Sequence, residues 1–204
     1  MDYNSIKTDT NIPFLELDLE FPHQRVMDEI LKVPTNLFVT HKDYMSNKWY
    51  QFVMYGTSFD GTRSSWHDQE TSWTPEALER MPLTVEWFKN HYPSNKFSKI
   101  KVACIEPGGS IDPHDDGPDR GFTIGNRSTV NIAINNPEGA EFHIAETVIP
   151  FKPGSAMLID FGMTHSVINK SKINRYHILV GQRDETEEFQ TKVIESYQKS
   201  RNVS

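Results

Sequence analysis

The sequence predicts a mainly β fold with flanking helices, in which the strands form a two-sheet jelly roll. Six short runs rich in apolar and β-branched residues follow residue 98, at 100–105, 129–135, 140–144, 156–161, 165–169 and 175–180. Turn-forming sequences separate several of these runs, namely Asn135-Asn136-Pro137-Glu138-Gly139 and Pro153-Gly154. No helical pattern lies between the runs, and a parallel α/β sheet needs helical crossovers. Antiparallel strands in two sheets are therefore favoured.

Two elements are predicted in the first part of the chain. Apolar and polar side chains alternate at 14–19, which indicates a short edge strand. Pro22 suits the first turn of a helix, and Val26, Ile30 and Leu31 then recur at helical spacing. We therefore expect a helix after Pro22 that buries these three side chains.

A strand, a loop and two helices are expected before the β-rich part. Residues 49–55 are aromatic and β-favouring, and a glycine ends them, so they predict a strand. Residues 57–73 have the composition of a loop. Thr74-Pro75-Glu76 combines an N-cap residue with a proline in the first turn, and a further helix is expected over 84–90.

The C-terminal segment 186–199 has the pattern of an amphipathic helix. Phe189, Val193, Ile194 and Tyr197 recur on one side of that helix. We expect this side to pack against the β-rich part of the chain.

The length of 204 residues suits a single domain with a sizeable core. Within residues 1–204, residues 1–97 are expected to support the core. Residues 98–181 are expected to form the jelly roll, and residues 184–202 to add the C-terminal helix.

Composition narrows the classes of protein that the chain can represent. The 21 basic and 28 acidic residues are mixed along the chain and give a net charge of −7, which argues against a general nucleic-acid binder. The single cysteine, Cys104, cannot form an internal disulfide. No apolar run approaches the roughly 20 residues of a membrane span, and residues 1–4 lack the features of a secretory signal. We therefore expect a cytoplasmic protein without a membrane segment.

A candidate metal site involves two histidines and one aspartate. His114 and Asp116 form a His-x-Asp sequence after a Pro-Gly-Gly turn, and His165 follows 51 positions later (165 − 114). Two imidazoles and one carboxylate leave open coordination positions, as in non-haem Fe(II) oxygenases. Asp115 is an alternative to Asp116 as the ligand. Otherwise His114 would lie in a capped surface turn, and His165 would bond to a nearby carbonyl.

Arg175 lies ten positions after His165, at the start of a predicted strand. A buried strand arginine is costly unless an anion meets it. The distal carboxylate of 2-oxoglutarate would be such an anion, bound through two parallel hydrogen bonds. The alternative partner is an acidic side chain of the protein itself.

Three further polar residues alternate along a predicted strand. Arg127, Thr129 and Asn131 would project to one side of it. If that side faces the interior, these residues could orient the co-substrate. If it faces water, they form an ordinary solvated surface.

Two other histidines lie in predicted strands. His143 alternates with apolar residues, and we expect it to be a hydrogen-bonded histidine of the core. His177 lies two residues after Arg175 and is expected on the same face, without an assigned role.

Several chemistries remain compatible with the predicted metal site. There is no thiolate cluster, so a structural zinc site is disfavoured. Fe(II) with a bidentate 2-oxo acid and O2 fits two histidines and one carboxylate. A zinc-dependent hydrolase or isomerase on the same barrel is an alternative, as is a metal- or carbohydrate-binding jelly roll without turnover. Arg175 favours the 2-oxo acid.

The chain resembles the aspartyl/asparaginyl β-hydroxylase family of 2-oxoglutarate- and Fe(II)-dependent oxygenases, over about residues 81–181. The resemblance is carried by Met81-Pro82-Leu83-Thr84, Ile105-Glu106-Pro107-Gly108-Gly109-Ser110-Ile111, Pro113-His114, Asn131-Ile132-Ala133-Ile134, Gly154, Asp160, His165-Ser166-Val167-Ile168-Asn169 and Arg175. The resemblance implies a cupin-like double-stranded β-helix. It further implies that His114 and His165 hold Fe(II) and that Arg175 holds 2-oxoglutarate.

Departures from the family are informative. Asp116 supplies a carboxylate that many bacterial-type members have and the animal peptide hydroxylases lack. Those animal enzymes have basic residues where Thr129 and Asn131 fall, so Arg127 is a candidate second anchor for 2-oxoglutarate.

The expected activity is hydroxylation of an unactivated C–H bond, with O2 consumed and 2-oxoglutarate decarboxylated to succinate and CO2. The expected substrate is a free amino acid or an aspartyl/asparaginyl-type side chain of a peptide. Loops 57–73 and 115–127 are expected to shape its entrance.

Overall fold

A curled antiparallel sheet forms the centre of the computed structural model, which describes residues 2–7, 12–40, 46–59, 71–117, 128–182 and 184–202. The strands in these ranges are β1 (Phe14–Leu17), β2 (Val39–Thr40), β3 (Ser46–Gly56), β4 (Ser72–Trp73), β5 (Phe97–His114), β6 (Thr129–Ala133), β7 (Ala140–Ile144), β8 (Thr147–Val148), β9 (Ala156–Ile159), β10 (His165–Asn169) and β11 (Arg175–Gln182). The helices are α1 (Tyr3–Lys7), α2 (His23–Ile30), α3 (Pro75–Arg80), α4 (Pro82–His91) and α5 (Glu187–Arg201), with a 3-10 turn at Thr35–Leu37. The predicted mainly β fold with flanking helices is confirmed.

The strands are paired in the order β1-β9-β6-β11-β5-β10-β7-β8, and β3 pairs with β5 and carries β2 and β4. Strand β5 belongs to both halves of the roll. Its residues 97–105 pair with β11, whereas residues 110–114 pair with β10. The two halves face each other as the sheets of a jelly roll, as the sequence predicts.

The Pro-Gly-Gly sequence lies within β5, whereas the sequence predicts a turn that ends a strand at 105. Gly108 has a φ of +74°, which a side chain would disfavour. A Cβ on Gly109 would lie 2.8 Å from Cγ2 of Ile105 and 2.9 Å from the carbonyl oxygen of Glu106. The two glycines therefore let the strand bend from one sheet to the other without ending.

Most of the other predicted elements lie where the sequence places them. Thr74 caps α3 by accepting a hydrogen bond from the backbone N–H of Ala77 at 3.2 Å. Thr186 caps α5 in the same way, through the N–H of Phe189. Leu31 is a correction, because it follows α2 and is 68% exposed. Its side chain points away from the buried face of that helix.

Two apolar clusters lie on opposite sides of the main sheet. The helix-backed core, between the sheet and the helices, includes Phe52, Phe88, Val102, Ile178 and Phe189. The barrel interior, between the two halves of the roll, includes Trp49, Ile105, Phe142, Phe151 and Phe161.

Strand β11 shows how alternation divides side chains between the two clusters. Tyr176, Ile178 and Val180 face the helix-backed core. Leu179 packs against the barrel interior, and Arg175 lies over the Phe151 ring of that interior.

No helix in the described ranges is long and apolar enough to cross a membrane.

Candidate active site

Strand pairing brings the two candidate histidines together. Strands β5 and β10 are antiparallel, and their register places His114 opposite His165. The imidazole centroids lie 4.3 Å apart, and Nε2 of His114 is 3.7 Å from Oδ1 of Asp116. One ligand atom from each of His114, Asp116 and His165 lies within 4.8 Å of the others, so the three side chains could hold a metal ion.

Backbone carbonyls orient both imidazoles. Nδ1 of His114 lies 2.7 Å from the carbonyl oxygen of Asp112, and Nδ1 of His165 lies 2.9 Å from that of Met163. Each Nδ1–H therefore donates to an oxygen. The lone pair of Nε2 on each ring is left available to bind a metal ion. This is the tautomer that a metal-binding histidine needs.

His165 is the more buried histidine and lies among aromatic rings. It is 5% exposed, stacked 6.0 Å from the Phe142 ring and edge-on to the Phe161 ring at 4.8 Å. Burial lowers the pKa of His165, and the neighbouring His114 lowers it further. The imidazole is therefore held neutral, in the form that binds metals. Asp116 is fixed beside it, since its backbone N–H donates to the carbonyl oxygen of Phe161 at 2.9 Å.

Arg175 is buried without a counterion. It is 2% exposed, and no acidic side chain among the described residues lies within salt-bridge distance. Its Nε has no hydrogen-bond partner within the described part of the chain. Burial lowers the pKa of Arg175 to about 9. The arrangement therefore differs from the salt bridge considered as the alternative, and it is suited to receive an anion.

Aromatic contacts connect Arg175 to the histidines. The guanidinium carbon lies 5.9 Å from the centroid of the Phe151 ring. Phe151 is 6.0 Å from Phe142, which stacks on His165. The metal-binding geometry and the unpaired cation therefore share the barrel interior.

A family assignment agrees with this geometry. The sequence profile described as aspartyl/asparaginyl beta-hydroxylase matches residues 20–184, which is most of the chain. The chain belongs to this family. Its members fall within the 2-oxoglutarate- and Fe(II)-dependent oxygenases, so the expected enzyme class and the expected use of Fe(II), 2-oxoglutarate and O2 are confirmed at the level of the family. A comparison with curated protein sequences finds no match.

Solved structures share the fold at low sequence identity. A prolyl hydroxylase from Trichoplax adhaerens, in complex with a hypoxia inducible factor peptide, is 16% identical with a TM-score of 0.53, over 94% of this chain and 90% of that one. A viral collagen prolyl hydroxylase from Paramecium Bursaria Chlorella virus-1 is 14% identical with a TM-score of 0.52, over 86% and 98%. A 2OG-Fe(II) oxygenase family protein from Burkholderia pseudomallei is 12% identical with a TM-score of 0.53, over 92% and 91%. These likenesses support the double-stranded β-helix.

The donor set of this aspartyl/asparaginyl β-hydroxylase family member suits ferrous iron. Two imidazoles and one carboxylate are available, and the remaining coordination positions would be open to a 2-oxo acid and O2. The only cysteine, Cys104, is buried, and burial raises the pKa of its thiol to about 11. A thiolate site of the kind that structural zinc uses is therefore disfavoured.

The other residues predicted at the site divide into three cases. Asn131 is buried and faces the barrel interior, where its Oδ1 lies 2.7 Å from Nδ1 of His177. Thr129, two residues earlier on β6, projects to the same side and is half-buried. Arg127 and most of the two predicted entrance loops lie outside the described residues.

Two features of the interior are absent from the sequence prediction. His177 shares the face of Arg175 as expected, but its contact with Asn131 depends on strand register and is invisible in the sequence. Lys101 also faces the interior, with Nζ 4.8 Å from the centroid of the Trp49 ring. The alternation of Lys101 with Ala103 and Ile105 along β5 is the signal that could have found it.

His143 is a correction. Its side chain is 40% exposed and lies 2.9 Å from Oε2 of Glu141, at the outer face of β7. It is hydrogen-bonded as predicted, but it lies outside the core because Phe142 and Ile144 take the buried positions on either side.

Proposed function

We propose that this protein is a 2-oxoglutarate- and Fe(II)-dependent hydroxylase acting on an unactivated C–H bond of a free amino acid or of an aspartyl/asparaginyl-type side chain. One observation carries the proposal. The His114, Asp116 and His165 cluster and the unpaired guanidinium of Arg175 share one aromatic-lined interior.

The two groups would divide the binding of iron and co-substrate between them. His114, Asp116 and His165 would hold Fe(II), with both imidazoles already held in the tautomer that leaves Nε2 free. Arg175 would bind the distal carboxylate of 2-oxoglutarate, whose charge compensates a buried cation. Bound iron supplies the oxidising chemistry that couples decarboxylation of the co-substrate to hydroxylation of the substrate.

The remaining polar residues of the interior would orient the co-substrate. Asn131 and Thr129 project from β6 to the side that Arg175 also faces. We include Arg127 in this group because it precedes them by the same alternation. The rings of Phe142, Phe151 and Phe161 would exclude water from the reacting atoms.

The substrate is proposed as a small molecule or a peptide carrying the amino acid. Prolyl hydroxylases of the same fold are named for collagen and for a hypoxia inducible factor peptide, which makes a peptidyl substrate reasonable here. We further propose that residues 1–97, 98–181 and 184–202 act as one domain. We propose the cytoplasm as its setting, because Cys104 is a single buried thiol.

Anaerobic titration tests the proposal. Addition of 2-oxoglutarate to the Fe(II)-loaded protein should give a weak visible charge-transfer band, and O2 should then release succinate. His165→Ala should abolish the band, and Arg175→Ala should weaken 2-oxoglutarate binding by about 100-fold or more. His143→Ala is the matched control, because that histidine lies at the outer face of β7.

The same titration separates the rival functions. A zinc-dependent hydrolase or isomerase would be active without O2 and would give no such band. A binding module without turnover would take up metal but would release no succinate in a screen of amino acids and peptides. Unchanged 2-oxoglutarate affinity in Arg175→Ala would contradict the assignment of the co-substrate site.

A further inference from the structure

His177 is a fully buried histidine that the proposed function does not use. It lies on β11 two residues after Arg175 and is 0% exposed. Its Nδ1 lies 3.2 Å from Nη2 of Arg175 and 2.7 Å from Oδ1 of Asn131. The Phe151 ring meets it edge-on at 4.6 Å. Polar contacts at this one nitrogen therefore join two neighbouring strands inside the barrel.

The imidazole of His177 is neutral. Burial lowers its pKa well below the ordinary value, and the adjacent Arg175 charge lowers it further. A neutral imidazole has one N–H and one lone pair, so Nδ1 either donates or accepts.

The Arg175 contact decides which form fits. A guanidinium has only donors, so its Nη2 hydrogen bonds to Nδ1 only when Nδ1 carries the lone pair. The hydrogen then lies on Nε2. Oδ1 of Asn131 lies 2.7 Å from Nδ1, so this form requires a half-turn of the side-chain amide that exchanges its oxygen and its NH2 group. An N–H of Asn131 then shares the Nδ1 lone pair with the N–H of Arg175.

We propose that His177 is a positioning residue for co-substrate recognition: it accepts a hydrogen bond from Arg175, while Asn131 fixes the imidazole. This inference rests on the proposed function, because it takes Arg175 to bind the distal carboxylate of a 2-oxo dicarboxylic acid. The contact at Nη2 restrains the guanidinium, and its other N–H groups remain for that carboxylate.

The neutrality of His177 matters for selectivity. An aspartate or glutamate at this position would also orient Arg175, but it would compensate the positive charge internally. A neutral acceptor orients the guanidinium and leaves its full charge for the ligand. His177 therefore favours dicarboxylic over monocarboxylic 2-oxo acids without touching the metal-binding residues.

The test compares two ligands on the full-length protein, loaded with Fe(II) without O2. The ligands are 2-oxoglutarate and 2-oxopentanoate, which has the same chain length and 2-oxo acid group but no distal carboxylate. Their dissociation constants are read from the charge-transfer band. The parent protein should prefer 2-oxoglutarate.

Three variants measure the role of the histidine. His177→Leu should weaken the binding of 2-oxoglutarate about tenfold and leave the affinity for 2-oxopentanoate unchanged, because only the distal carboxylate depends on Arg175. His177→Gln retains an acceptor oxygen and should stay within about threefold of the parent. Asn131→Leu should weaken the binding of 2-oxoglutarate by about threefold and leave that of 2-oxopentanoate unchanged, because its effect through His177 reaches only the distal carboxylate.

Failure of this inference is distinguishable from failure of the proposed function. If the parent binds both ligands equally well, Arg175 does not bind the distal carboxylate and the proposed co-substrate site is wrong. If the parent prefers 2-oxoglutarate and His177→Leu shows the same preference over 2-oxopentanoate, only the positioning role of His177 is overturned. If His177→Leu does not fold, unchanged 2-oxoglutarate affinity in Asn131→Leu overturns it. A purely structural role would lower the melting temperature and leave the ratio of the two affinities unchanged.

Discussion

The helix-backed core and the barrel interior treat buried polar groups differently. In the helix-backed core, the Glu29 carboxylate accepts from the backbone N–H groups of Leu83 and Thr84, at 2.8 and 2.9 Å, and from the Thr84 hydroxyl at 2.6 Å. In the barrel interior, Nε of Arg175 and Nε2 of His177 have no partner within the described residues. A buried charge is satisfied by the protein itself in one region and left for a ligand in the other.

The contrast separates stability from function. A paired buried carboxylate holds the start of α4 in place and contributes to the fold. A buried guanidinium without a counterion lowers the stability of the folded protein. Its presence therefore indicates a role in binding rather than in folding. Substitutions in the two regions should therefore have different signatures.

Phe88 is the position in the helix-backed core where the largest loss of stability is expected. It is 1% exposed and contacts the rings of Phe21, Trp73, Trp87, Tyr92 and Phe97. Phe88→Ala should lower the free energy of unfolding by about 4 kcal/mol, because it removes ring contacts and leaves a cavity. Urea unfolding measures the loss, and the 2-oxoglutarate affinity of the folded fraction should not change.

Leu31→Ala is the matched control for that substitution. Leu31 is apolar but 68% exposed, so its truncation should change stability by less than about 0.5 kcal/mol. A large change in 2-oxoglutarate affinity in Phe88→Ala would show that the two regions are coupled.

Arg175→Met should have the opposite signature. Replacing a buried unpaired cation with an apolar side chain of similar length should stabilise the metal-free protein by about 1–3 kcal/mol. The same change should weaken the binding of 2-oxoglutarate by about 100-fold or more. Thermal unfolding and the anaerobic titration measure the two effects.

Arg80→Met is the control for Arg175→Met, because Arg80 lies on the exposed surface of α3 and pairs with Glu79. It should leave both stability and 2-oxoglutarate affinity close to those of the parent. Loss of stability in Arg175→Met would mean that the guanidinium is satisfied within the protein.

The sequence is most informative where one local pattern decides the structure. Alternation identifies β1 and β6, and the N-cap residue Thr74 identifies the start of α3. His114 and Asp116 could be recognised as candidate ligands because they lie two residues apart. Their meeting with His165 required a second inference, that ligands on different strands of a jelly roll converge in its interior.

The features that could not be predicted from the sequence depend on pairing between strands that are far apart in the chain. The contact between Asn131 and His177 joins residues 46 positions apart and exists only in one register of β6 and β11. The course of β5 through Pro107-Gly108-Gly109 depends on β3 and β10 extending the ladder beyond the bend. Local composition favours a turn there, and tertiary pairing overrides it.

His177 should also make the barrel interior sensitive to acid. Its folded-state pKa lies well below that of the unfolded chain, which is about 6.5. Below pH 6.5 the unfolded state therefore binds more protons, so stability should fall as the pH is lowered, by up to about 1.4 kcal/mol per pH unit from this group. At higher pH both states are neutral at His177, and the contribution vanishes.

His177→Gln isolates this contribution, because glutamine does not titrate. The stability of the metal-free parent, measured by urea unfolding between pH 7 and 5, should fall more steeply than that of the variant. Parallel curves would mean that the pKa of His177 is the same in the folded protein as in the unfolded chain.

Tyr92 tests whether every unpartnered group in this protein has a function. Its side chain is buried in the helix-backed core, and its hydroxyl has no partner among the described residues. Tyr92→Phe keeps the ring contacts with Phe88 and Phe97 and should raise the free energy of unfolding by up to about 1 kcal/mol. Tyr197→Phe is the control, since that hydroxyl accepts a hydrogen bond from Nε of Arg201 at 3.2 Å, and its loss should be slightly destabilising. A stability gain in Tyr92→Phe without a change in 2-oxoglutarate affinity would show that a neutral unpartnered group is only a packing cost. Arg175 differs, because its replacement should stabilise the metal-free protein and at the same time weaken the binding of 2-oxoglutarate.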